Sequence, residues 1–150
     1  MSATRPILAS SCARAATAAE ARFRIDAEIG PRSALVVALD GKASEVVRRV
    51  AELPWGGARF FTAGELAPRL AAELDEADVA IMIGTASADA DAAAAIAHAC
   101  FERSIMTAGL VLGERRLVGP AVAALRPYAR VLMVTEDEED VAAVLTALRA

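Results

Sequence analysis

"IMIGTASADADAAAAIAH", residues 81–98, runs from an aliphatic stretch straight into an alanine-rich one. Between the two lies a turn of small and polar residues. A short unbroken apolar run bounded by turn residues fits a β-strand buried on both faces. The alanine-rich stretch that follows has helical length and propensity. A strand leading through a short turn into a helix is half of a parallel βαβ unit. The same pattern recurs on both sides of this stretch.

Upstream, "SALVVALD" (33–40) is a second apolar run, followed by "GKASEVVRRVAEL" (41–53). There Val46, Val47, Val50 and Leu53 fall at helical spacing, Arg48, Arg49 and Glu52 point outward, and Pro54 ends the pattern. "ARFF" (58–61) predicts a short peripheral strand, and "AGELAPRLAAELDEA" (63–77) predicts one helix with Pro68 near its start. Around the opening stretch, a strand is predicted over 78–84 and a helix over 88–103. Downstream come a strand over 104–113 and a short helix over 119–128 with Pro120 near its first position. A fifth strand over 130–135 and a last helix over 136–149 complete the pattern. At the other end, residues 1–9 are expected to form a disordered lead. Helical spacing over 10–29 is closed by Gly30-Pro31. Strands that alternate with helices imply parallel pairing with right-handed crossovers. The expectation is a single Rossmann-like α/β domain over 10–150. It is three-layered and doubly wound, with about five parallel strands and helices on both faces.

Composition agrees with a packed core and excludes several functions. Of 150 residues, 56% are hydrophobic but only 4% aromatic, so Ala, Val, Leu and Ile must build the core. The net charge of -4 supplies no overall basic field, so neither nucleic acid nor an anionic membrane is an expected partner. No apolar run approaches the ~20 residues that span a bilayer. The apolar centre near the N-terminus, residues 6–9, is too short for the ~7–15 residue core of a secretory signal. A soluble, cytoplasmic protein is expected. Cys12 and Cys100 make no disulfide framework or metal cluster, and His98 is the only histidine.

In doubly wound sheets, ligands sit beyond the carboxyl ends of the strands where the strand order reverses. If the first and third strands are neighbours, Asp40, Gly41 and Lys42 face Gly84, Thr85 and Ser87 across that crevice. Lys42, the only lysine, would supply charge to an anionic or nucleotide-like ligand. Hydroxyls and helix amides would supply hydrogen bonds. Asp89, with Asp40, could hold a divalent cation such as Mg²⁺ that accompanies a nucleotide or phosphate. Each residue also has an ordinary reading. Asp89 and Asp91 suit the positive end of a helix dipole, Ser87 suits an N-cap, and Lys42 suits a solvated loop.

These residues carry a resemblance. "LVVALDGKASEVVRRV" and "EADVAIMIGTASADADAAAAIAHACFERSIMTAGLVLG" resemble the nucleotide-binding half of the bacterial tubulin-like division GTPases. The likeness rests on the Ala77-Asp78 lead-in, the apolar strand, the small-residue turn, its helix and the next strand. It implies a nucleotide-binding scaffold with its phosphate loop at Gly84 to Ala90. The family's loop reads Gly-Gly-Gly-Thr-Gly-Thr-Gly, whereas here it reads Gly-Thr-Ala-Ser-Ala-Asp-Ala. Glycines let backbone approach phosphate closely, and two carboxylates repel it, so GTP hydrolysis is not expected. The strand, Ser/Thr turn and helix are also similar to sugar-phosphate isomerase-type domains.

Other features have structural readings beside functional ones. Thr135 and Glu138 fit a capping box that opens the last helix. His98 and Glu102 are four apart on one helix, whereas His98 and Cys100 point to different faces. Trp55 either anchors a partner or covers the sheet edge near Phe60 and Phe61. Alanine-rich helices permit close helix contacts and so a homo-oligomer. No nucleophile–base pair, metal cluster or dinucleotide fingerprint stands out, and no catalytic residue is assigned. Three functions are carried forward. The first is binding of a small anionic or nucleotide-like ligand. The second is an oligomerising or partner-binding module on a degenerate nucleotide-binding scaffold. The third is an enzyme acting on a phosphorylated substrate.

Overall fold

Each apolar run becomes a strand, and each amphipathic run between them becomes a helix. The computed structural model describes residues 32–150; the expected lead, the helix over 10–29 and Cys12 lie outside them. The strands are β1 (Ala34–Ala38), β2 (Ala58–Thr62), β3 (Val79–Gly84), β4 (Met106–Leu112) and β5 (Val131–Thr135). The helices are α1 (Gly41–Ala51), α2 (Ala63–Leu66), α3 (Leu70–Asp75), α4 (Ala90–Glu102), α5 (Gly119–Leu125) and α6 (Glu139–Ala147).

The five strands form one parallel sheet in the order β2-β1-β3-β4-β5. This is one of the two common doubly wound orders, and it reverses between β1 and β3. β1 and β3 pair from Ala34 opposite Val79 to Ala38 opposite Ile83, and both are buried throughout. The neighbouring strands cover their edges and helices cover both their faces, which explains their continuous aliphatic sequence.

Alternation along the strands sorts the core into two layers. Val36, Ile81 and Leu110 point to one face, where they meet Val47 of α1 and Val141 and Leu145 of α6. Leu35, Val37 and Met82 point to the other, where they meet Leu74 of α3, Ile96 and Cys100 of α4 and Leu125 of α5. Trp55 lies over Phe60 with ring centroids 6.2 Å apart, and its indole N–H donates to Val50 O at 2.8 Å. It covers the sheet edge at β2.

Two expectations about helices are corrected. The helix expected over 63–77 is interrupted by a 3-10 turn, Ala67–Arg69. Pro68 has no N–H to give to the carbonyl one turn earlier, so the α-helical ladder breaks there. The Thr135–Glu138 capping box does not form. Thr135 belongs to β5, its hydroxyl donates to Asp140, and Glu138 has no capping bond. Glu138 instead pairs with Arg49 of α1 at 2.6 Å. A capping box does form at Thr62 and Glu65, where α2 begins.

Candidate functional site

The carboxyl ends of β1 and β3 meet at the reversal of strand order, as the crevice reading requires. Asp40 is the second residue past the end of β1 and has an extended backbone (φ -155°, ψ 174°). It caps α1: Ala43 N–H donates to Asp40 Oδ1 at 2.9 Å. Its other oxygen reaches across the sheet, where Thr85 N–H donates to Asp40 Oδ2 at 2.7 Å. One carboxylate therefore starts α1 and ties it to the end of β3.

The β3–α4 turn folds back over the end of β1. Leu39 N–H donates to Ile83 O at 2.8 Å, and Asp89 N–H donates to Leu39 O at 3.1 Å. Within the turn, Ala88 N–H donates to Thr85 O and Ser87 N–H donates to the Thr85 hydroxyl oxygen. Packing is close enough that a Cβ on Gly84 would sit 2.7 Å from the Ala88 Cβ. That approach, and not room for a phosphate, is what glycine serves here.

The start of α4 is capped by Asp89, not by Ser87. Asp91 N–H and Ala92 N–H both donate to Asp89 Oδ1, at 3.0 and 3.1 Å. α4 begins at Ala90, so Asp89 stands at the N-cap position, and its carboxylate also suits the positive end of the helix dipole. Of the remaining expected site residues, Thr85 is buried beneath the turn, whereas Gly41, Lys42 and Ser87 are exposed at the strand ends. Asp91 is exposed in the first turn of α4. Three amides at the two helix starts, those of Ala43, Asp91 and Ala92, thus already meet side chains of the chain itself.

No family model and no curated protein matches this chain. The arrangement must be read from its own chemistry. Among the described residues, no three His, Cys, Asp or Glu side chains converge as a metal site. The donor set at the strand ends does not fit Mg²⁺ well, because both oxygens of Asp40 and one of Asp89 are already held by amides. His98 faces Glu102 at 3.2 Å on the outer side of α4, away from Cys100. Cys100 is buried in the core, and that burial pushes its thiol up to about 11 against the small opposing effect of Arg103. A thiol so protonated is no nucleophile near neutral pH.

Sequence reasoning placed Asp40 at the crevice but missed what it does there. An Asp immediately before a helical run is itself an N-cap signal. A second latch was also missed. Ser33 N–H donates to Asp78 Oδ2 at 3.0 Å, and Asp78 N–H donates to Ser33 O at 2.8 Å. Two aspartates therefore lace β1 to β3, Asp78 where the strands begin and Asp40 where they end. Among the described residues no helix is long and apolar enough to cross a membrane.

Proposed function

We propose that this chain is a non-catalytic interaction module, an oligomerising or partner-binding domain on a scaffold of the nucleotide-binding type. One observation carries this reading: the carboxylates of Asp40 and Asp89 occupy both helix starts at the strand-order reversal. In nucleotide-binding domains those amides are left free for phosphate. Here the amides of Ala43, Asp91 and Ala92 are given to carboxylates, and Asp40, Asp89 and Asp91 outnumber Lys42. A polyphosphate brought to this crevice meets carboxylate repulsion.

A second reading is supported by Lys42. It is exposed in the first turn of α1, beyond the carboxyl end of β1, and makes no ion pair among the described residues. A small monoanion could be held there by one charge and the Ser87 hydroxyl. Titration calorimetry with nucleotides, sugar phosphates and Mg²⁺ separates the two readings. The interaction reading expects no saturable heat with any of them. Saturable binding that is lost in Lys42→Ala would sink it and favour the ligand reading.

A further inference from the structure

β5 is an edge strand with an apolar, uncharged sequence, and such edges are usually blunted or covered. Among the described residues it pairs with β4 on one side only. Val131 and Met133 are large apolar residues left 44% and 42% exposed, more than their counterparts on the inner strands. A groove of about 440 Å³ lies beside them, lined by Ile81, Leu110, Val131, Met133, Val144 and Leu148. The surface of α6 that borders this groove includes Ala143 and Ala147, both exposed and small.

The backbone phase of β5 is fixed by a bond at its end. Gly113 N–H donates to Thr135 O at 2.9 Å, so the polar backbone of Thr135 points to the β4 side. Successive residues alternate, which turns the N–H and C=O of Leu132 and Val134 to the free edge. If two such edges meet antiparallel about Met133, Leu132 lies opposite the second copy's Val134, the pair whose groups face outward. Met133 lies opposite its own copy as a non-hydrogen-bonded pair, where side chains come closest. Carried one residue past each end of β5, the same register sets the Arg130 side chain opposite Glu136, while Arg130 N–H itself stays on Thr107 O of β4 at 2.9 Å. Both side chains are exposed, and neither makes an ion pair among the described residues.

We propose that β5 is the contact between two copies of this chain, which join antiparallel about Met133 into one continuous sheet with α6 packing beside its own copy. This deepens the interaction reading by naming the partner. Backbone pairing supplies the attraction, Met133, Val131 and the α6 groove supply apolar burial, and the Arg130–Glu136 pairs fix register. A register slipped by two residues keeps the backbone bonds but loses the charge match.

Sedimentation equilibrium of the full chain tests it. The expected result is a dimer that Met133→Lys converts to a folded monomer, with the far-ultraviolet spectrum unchanged. R130E alone and E136R alone each place like charges opposite one another twice per dimer. Each is expected to raise the dissociation constant roughly tenfold. Mixed in equal amounts, the two variants are expected to dimerise again. In the mixed pair the reversed side chains face each other, and so do the unchanged ones. Should Met133→Lys fail to fold, the charge-reversal mixture alone decides. A wild-type dimer that ignores all three substitutions overturns the β5 contact and leaves the interaction reading standing. A mixture no tighter than either variant alone overturns the register. A wild-type monomer at every concentration overturns the dimer and removes self-association from the interaction reading.

Discussion

Asp40 spends one oxygen on the helix that follows it and the other on a residue 45 positions away. Its value is in joining a local element to a long-range contact. Asp40→Ala is expected to cost about 2 kcal/mol, a lost cap plus an orphaned amide on Thr85. Asp40→Asn keeps one acceptor and should cost about half as much, and urea denaturation of both variants measures the difference. Gly84→Ala should destabilise by about 1–3 kcal/mol, because its new methyl meets the Ala88 Cβ and the turn must shift. Cys100 makes a pH prediction. Its thiol is held protonated to about 11 in the fold, above the ordinary value of 9.0. The folded state therefore holds this proton more tightly than the unfolded state does. The associated stability is intact below pH 9 and is lost as pH rises towards 11. In a Cys12→Ser background, thiol labelling at pH 8 should follow global unfolding only; rapid labelling of the native protein would contradict the burial. The sequence could place Asp40 at a strand end, because the apolar run stops there. It could not reveal the bond to Thr85, which depends on which strand lies next to β1.

Helix starts show how far local signals reach. Among the described residues, Thr-x-x-Glu occurs at Thr62–Glu65 and at Thr135–Glu138, and only the first forms a capping box. The difference is tertiary. Thr62 ends β2 and leads at once into α2, so its backbone is already placed as an N-cap. Thr135 is held within β5 by its bond to Gly113, so α6 cannot begin until Glu139. Glu138, freed from capping, reaches Arg49 on α1 across the same face of the sheet. Thr62→Ala should therefore cost about 1 kcal/mol, whereas Thr135→Ala loses no helix cap, only the bond its hydroxyl accepts from Asp137 N–H and its bond to Asp140. Thermal melts of the two variants make the comparison directly. Strand and helix identity was legible because aliphatic runs and helical spacing are local. The break at Pro68 was half legible: the proline marked a helix start, but the Ala63–Leu66 turn ahead of it forms through its capping box and its packing of Leu66 into the core.

For the whole molecule, strand order is what converts these local features into a crevice and an edge. The alternation of strands and helices implied a parallel doubly wound sheet, and three continuous apolar runs implied that both its faces are covered. The apolar sequence of β5 alone does not tell an edge from an interior strand. Its exposure follows from standing last in the order β2-β1-β3-β4-β5. β2, at the opposite edge, is half-buried along its length, with Arg59 paired to Glu73 and Arg69 over the Phe61 ring at 5.1 Å. β5 has no such charged side chains along it, so the two edges of one sheet are treated differently. Hydrogen exchange turns that contrast into a residue-resolved expectation. The amides of Val131, Met133 and Thr135 face β4 and should be protected at any concentration. Those of Leu132 and Val134 face the free edge and should become protected only as concentration rises, with the same midpoint as the mass change in sedimentation. Added salt should weaken assembly modestly by screening the Arg130–Glu136 pairs, without altering which amides are protected. Equal protection of all five amides in dilute solution would mean that something within the chain already covers this edge.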